Sequence, residues 1–145
     1  MKFIAVLLMS VALSAQARPD PVLTPGVARP LTQVQVCAVK WGKDARHVTA
    51  EMKVIVATSY GLKRADVVAY GNGPCCEFDH LISRELGGAD DVKNLWPQPW
   101  AEAKKKDQLE NWLHVQVCAG KMTLADAQQQ IATNWVAAYQ KAGLP

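Results

Sequence analysis

The stretch CEFDHLISRELGGADDVKNLWPQP, residues 76–99, gathers an adjacent Asp79-His80 pair, a Gly87-Gly88 turn and Asn94 into little chain. So dense a run of polar side chains among apolar ones is better explained by a site than by packing. A carboxylate, an imidazole, an amide and a glycine turn, on a chain running from a strand through a loop into a helix, are the parts of metal-assisted phosphodiester hydrolysis. The carboxylate would hold a cation such as Mg²⁺ against the phosphate, and the imidazole would take the proton of an attacking water. The amide would steady the ring, through a hydrogen bond to it or to the backbone beside it.

Around this stretch the pattern predicts an α+β domain. Residues 65–70, ADVVAY, read as a short strand, Gly71-Asn72-Gly73-Pro74 as a turn, and Cys75 to Ile82 as a second strand, which sets Asp79-His80 on a hairpin. In an ideal strand adjacent side chains leave opposite faces. Joint service of Asp79 and His80 at one phosphate therefore requires a bend, a bulge or a strand end at that point.

Downstream, residues 100–118 place Leu109, Trp112, Leu113 and Val117 on one helical face, with Gly120 just beyond. A second helix begins after Thr123, whose Thr-Leu-Ala-Asp run is a capping box with Asp in place of Glu; Leu124, Ala127, Ile131, Trp135 and Ala138 form its stripe. Two helices joined so closely should pack together. Upstream, Val34, Val36 and Ala38 alternate with Gln33, Gln35 and Cys37 as in a half-buried strand, and Trp41 anchors a turn. Thr49 caps a helix carrying Met52, Ile55, Val56 and Ser59, which stops at Gly61.

Lys2, the apolar run Phe3 to Leu13 and the close Ser14-Ala15-Gln16-Ala17 have the marks of a secretory signal peptide, residues 1–17, too short to span a bilayer. Residues 18–32, opening RPDPVLTPGVARP, hold four prolines and Gly26 and read as an extended or mobile arm. Residues 33–145 then form a single domain. The net charge of +3 falls to +2 without Lys2, too little to argue for nucleic-acid binding, although Lys104-Lys105-Lys106 is a local exception. Export to the periplasm or outside the cell places Cys37, Cys75, Cys76 and Cys118 where disulfides persist, so two are expected. A bridge between neighbours would strain the peptide joining them. Cys75 and Cys76 are therefore expected to reach outward, one to Cys37 and the other to Cys118, in an order the sequence leaves open. No C-x-x-C pair supports a zinc-cysteine site instead.

Asp79-His80-Leu81-Ile82, Gly87-Gly88 and Asn94-Leu95, in this order and spacing, resemble the HNH, or His-Me finger, nuclease superfamily. EFDHLISRELGG with NLWPQP and KKDQLENWLHVQVC looks like a group of small exported bacterial proteins of that kind, a likeness running from about Cys37 to Trp135. The resemblance implies a ββα-metal fold and an exported, metal-dependent endonuclease acting on DNA, ahead of RNA, with Mg²⁺ or Mn²⁺ as the cation and Zn²⁺ behind them. It casts Asp79 as first metal ligand, His80 as general base and Asn94 as the supporting amide of the catalytic set. It casts Lys106 as a phosphate-facing cation, with Lys104 and Lys105 beside it for nucleic-acid backbone. Many superfamily members complete the metal site with His or Asn about nine residues after the middle Asn. That position is Ala103 here, which cannot bind a metal, and Glu102 is the neighbour suited to a hard cation. The alternative is a non-catalytic exported module that keeps the HNH-like scaffold for binding or stability with an incomplete metal site. The sequence does not identify a partner such as an immunity protein.

Other polar residues have plainer readings. Asp107, Glu110 and His114 fall at i, i+3 and i+7 on one helix face, a spacing that could suggest a second metal site but fits ion pairing on a solvated face better. His47 reads as a surface residue. Most of the five tryptophans serve the core, while Trp96 and Trp100 flank the motif and could shape a groove.

Overall fold

The computed structural model describes residues 18–40, 43–63 and 75–145. The expected signal peptide, the Trp41 turn, the strand expected at 65–70 and the turn expected at 71–74 lie outside them. The described chain is mixed α+β, with helices α1 (Gln33–Ala38), α2 (Ala50–Ser59), α3 (Trp100–Cys118) and α4 (Leu124–Lys141). Its sheet is one antiparallel pair, β1 (Cys76–His80) and β2 (Leu95–Pro99), joined by a loop with short 3-10 turns at Arg84–Leu86 and Val92–Asn94.

The described residues give β1 a partner that the sequence did not suggest. Among the described residues β1 pairs with β2, in the register Phe78 opposite Pro97 and His80 opposite Leu95. Pro97 and Pro99 concealed this strand in the sequence, since neither can donate to a ladder. They are two residues apart, so both missing N–H groups fall on the same side, and in a two-stranded sheet that side can be the unpaired edge. Strand, loop, strand and helix then follow in order, and the motif runs from the end of β1 through the loop to the start of β2.

The faces of this small sheet divide the core. Phe78 and Leu95 pack with Val56 and Ala57 of α2, while Trp96, on the other face, joins Leu109, Leu113 and Val117 of α3 and Ile131 and Trp135 of α4. Full burial of side chains this size contributes about 1.5–3 kcal/mol each. The caps expected at Thr49 and Thr123 are formed: Thr49 Oγ1 accepts from the Met52 N–H at 3.2 Å, and Thr123 Oγ1 from the Asp126 N–H at 3.0 Å. Gly61 and Gly120, both at positive φ, follow the ends of α2 and α3 as expected.

Residues 33–38 are a helix where alternation suggested a strand. Thr32 Oγ1 accepts from Gln35 N–H, and Gln35 Oε1 accepts from Thr32 N–H, a complete capping box that commits the segment to helix. Val36 alone of its valines is buried; Val34 is 78% exposed. A six-residue run with one buried apolar residue satisfies either period.

The disulfides also differ from expectation. Cys37 bridges Cys118 with Cα atoms 5.6 Å apart, tying α1 to the end of α3 across 81 residues, and Cys75 bridges its neighbour Cys76. With Cys37 and Cys118 satisfied by each other, Cys75 and Cys76 are left as mutual partners. The long-range bridge is of the kind that stabilises by about 2–4 kcal/mol.

Residues 18–32 are tied to the motif loop along their length. Thr24, buried, donates to Leu95 O at 2.9 Å; Gly26 N–H donates to Lys93 O at 3.0 Å; Arg29 N–H donates to Gly87 O at 2.8 Å; and Ala28 forms a bridge with Gly88. The prolines that make this segment unfit for a helix or central strand suit it to lie along a loop. No helix among the described residues is long and apolar enough to cross a membrane.

Candidate active site

Asp79 and His80 do leave opposite faces of β1. Asp79, paired with Trp96, turns toward α3, and His80, paired with Leu95, turns toward the segment preceding α2. Because the strand ends at His80, both side chains line one cavity of about 410 Å³, whose walls also include Arg29, Arg46, Ser83 and Arg84. The strand end, one of the three devices that could reconcile the pair, is the one present.

A carboxylate that sequence reading passed over holds His80. Asp90 Oδ1 lies 2.7 Å from His80 Nε2 and 2.6 Å from Arg84 Nη1, while Asp90 Oδ2 accepts from the His47 N–H at 2.7 Å. The line of ion pairs continues outward, from Arg84 to Asp44 at 2.8 Å and from Asp44 to Arg29 through two hydrogen bonds of 2.7 and 3.1 Å. Burial works against the Asp90 carboxylate, but the His47 N–H, the Arg84 guanidinium and the His80 ring overcome it and hold its pKa at about 2. An ionised carboxylate can only accept, so His80 carries its proton on Nε2 and keeps the Nδ1 lone pair. The signal for Asp90 was present in the sequence as Asp90-Asp91 after the glycines. Asp91 caps the following turn by accepting from Lys93 N–H at 2.8 Å, and only the fold tells the two apart.

Burial lowers the His80 pKa below the usual histidine value, against the pull of Asp90 and Asp79. At pH values below about 6.5 the unfolded chain binds this proton more readily than the folded one. The stability contributed by neutral His80 is therefore present above that pH and is lost as pH falls below it. An NMR titration of the His80 ring should give a midpoint below 6.5, and Asp90→Asn should lower it further by removing the group that favours the imidazolium. A wild-type midpoint at or above 6.5 would contradict this account.

Asn94 is buried and makes no hydrogen bond to the His80 ring. Its Oδ1 accepts from Ile82 N–H at 3.0 Å and Val27 N–H at 3.2 Å, and its Nδ2 donates to Ile82 O and Ala89 O, both at 3.0 Å. It acts on the backbone near His80, closing the motif loop and clasping the N-terminal arm to it.

The residues expected to bind metal and phosphate are arranged differently from the expectation. Lys106 is fully buried; its Nζ donates to Asp79 Oδ2 and to His80 O, each at 2.6 Å, and to Glu110. It cannot face a phosphate, which corrects that assignment. Burial works to lower its pKa, but Asp79 and then Glu110 hold it above the ordinary lysine value. Burial pushes Glu110 up, in spite of Lys106. Glu102 is 3.6 Å from Lys105 and does not line the cavity, Ala103 is buried on α3, and Lys104 and Lys105 are exposed. His47 is exposed, as expected, and meets the site through its backbone. His114 bonds through Nδ1 to Glu85 O, and with Glu110 turned to Lys106 the α3 face of Asp107, Glu110 and His114 holds no metal cluster. Among the described residues no group of three His, Cys, Asp or Glu is placed to hold a metal ion. The donor set therefore does not fit the divalent cation that the resemblance implies, since the Asp79 carboxylate already carries an ammonium.

The fold and site together define, among the described residues, a small mixed α+β protein with a histidine-carboxylate pair at the end of β1. No family model, no curated protein and no solved structure matches the chain.

Proposed function

We propose that this chain is an exported HNH-type endonuclease that hydrolyses phosphodiester bonds in DNA or RNA, with His80 as general base. The observation that carries the reading is His80, held 2.7 Å from Asp90 and lining a cavity that also bears Arg29, Arg46, Arg84 and Lys40. His80 Nδ1 takes a proton from water as its oxygen attacks phosphorus, and Asp90 balances the imidazolium; the bond from phosphorus to the leaving oxygen breaks, that oxygen takes a proton from solvent, and the imidazolium returns its own proton to solvent. A lowered His80 pKa keeps the base form populated at neutral pH. The guanidinium groups supply positive charge for the phosphate. Asn94 supports the loop that presents both members of the pair. The signal-like residues 1–17 and the two disulfides support export.

The oxidised protein should nick plasmid DNA, and His80→Ala should slow cleavage by about 10²–10⁴-fold with an unchanged far-UV circular dichroism spectrum. Asp90→Asn, which alters the tautomer and orientation of the ring, should cost on the order of 10²-fold. Cleavage indifferent to both substitutions would refute the assignment. One observation favours a second reading, a scaffold retained for binding without catalysis: Asp79, the expected metal ligand, is occupied by Lys106. Absence of cleavage of DNA and RNA by folded protein would decide for that reading.

A further inference from the structure

We propose that the side chain of Lys106 is the resident cation of a three-oxygen seat formed by Asp79, Glu110 and the His80 carbonyl, a seat that would otherwise take a divalent ion. The ammonium has three donors, and three oxygens receive them: Asp79 Oδ2 and His80 O at 2.6 Å and the Glu110 carboxylate. Two carboxylates and a carbonyl are hard oxygen donors of the kind that bind Mg²⁺, Mn²⁺ or Ca²⁺. They come from two elements, Asp79 and His80 from the end of β1 and Glu110 from α3, and α3 also supplies Lys106 one turn before Glu110. Lys106 has no exposed surface, so no position on this cation is open to solvent.

Charge explains why the seat must be filled. Glu77, Asp79, Asp107 and Glu110 lie close enough that the Asp79 charge acts on each of the other three. Two carboxylates converging at the buried end of β1 repel unless a cation lies between them. A lysine anchored on α3 provides that cation within the covalent chain, so the seat cannot be emptied by a chelator. A divalent ion can enter only if Lys106 leaves. This is a property of the fold and holds whether or not the chain cleaves phosphodiesters. Under the endonuclease reading it adds one consequence, that cleavage persists in EDTA.

Mn²⁺ titration by calorimetry, with thermal unfolding in parallel, tests the seat on three proteins. Wild type should bind no Mn²⁺ at Asp79 and show the same Tm in Mn²⁺ and in EDTA. Lys106→Ala should melt lower in EDTA, bind one Mn²⁺, and gain about 5–10 °C at a hundredfold excess over Kd. Adding Asp79→Asn to Lys106→Ala should abolish that gain. Stoichiometric Mn²⁺ binding by wild type that disappears in Asp79→Asn would overturn the proposal, as would a folded Lys106→Ala protein that Mn²⁺, Mg²⁺ and Ca²⁺ all fail to stabilise. If Lys106→Ala folds only when a divalent ion is supplied, the seat is supported. If no such ion restores folding, Lys106→Met with Asp79→Asn and Glu110→Gln decides. That neutral triple variant should fold without any cation, and its failure to do so would refute a seat held together by charge. Loss of cleavage in every protein would reject the endonuclease and leave these readouts unaffected.

Discussion

Asn94→Ala should destabilise the domain by about 3–6 kcal/mol, a large share of the stability of a domain this size. The side chain has no exposed surface and closes four hydrogen bonds to backbone, two from the N–H groups of Val27 and Ile82 and two to the carbonyls of Ile82 and Ala89. Removing it strands two donors and two acceptors inside the protein, each costing about 1–3 kcal/mol, partly relieved if water enters the space. Asn94→Asp should do no better. It keeps the acceptor but loses both donors and sets a charge against two carbonyl oxygens. Urea unfolding of the oxidised protein measures both variants. A loss under about 1 kcal/mol for Asn94→Ala would show that the loop does not depend on this clasp. Any loss of cleavage in these variants should track the population unfolded, because Asn94 bonds to backbone rather than to the His80 ring.

Gly88→Ala should be comparably severe, by about 4 kcal/mol or more. A Cβ at this position would lie 1.8 Å from Ile82 O and 2.8 Å from Ser83 O. Neither oxygen can retreat cheaply, since Ile82 O accepts from Asn94 Nδ2 at 3.0 Å and Ser83 O accepts from the Gly88 N–H at 2.8 Å. The methyl must therefore open the loop that sets Asp90 against His80. Gly61 provides the contrast. It has φ of +68° and open space, with nothing within 4 Å of where a methyl would stand, so Gly61→Ala should cost only about 1–2 kcal/mol of backbone strain. Thermal melts of the two variants separate these accounts, and equal losses would show that crowding at Gly88 is not the reason for the glycine.

The two substitutions bear on why some determinants of this loop were legible in the sequence while others were not. Gly87-Gly88 and Asn94 are legible because each meets a local demand, close backbone approach in one case and a buried loop needing paired donors and acceptors in the other. Asp90 was not legible, because Asp90 and Asp91 are chemically identical and only the approach of His80, Arg84 and the His47 N–H distinguishes them. Lys106 misled for a related reason. Its helical neighbours Lys104 and Lys105 are exposed, so a run of three lysines reads as one solvated patch, yet the turn of α3 puts the third under Asp79. Arg29 and Arg46, from segments preceding the motif, reach the cavity only through the fold.

Taken alone, the sequence determined α2, α3 and α4, with the threonine caps of α2 and α4 and the glycine stops of α2 and α3, the strand bearing Asp79-His80 and the loop with Asn94. Those signals act over a few residues, through periodicity, capping and backbone conformation, and need no knowledge of distant chain. Tertiary structure decided the pairing of β1 with a proline-bearing β2, the bond between Cys37 and Cys118, the choice of Asp90 as the partner of His80, and the burial of Lys106 between two carboxylates. Nearly all of these depend on groups far apart in the chain, or on which side of an element faces the core, and are settled only when burial makes an unpaired charge or hydrogen-bonding group costly.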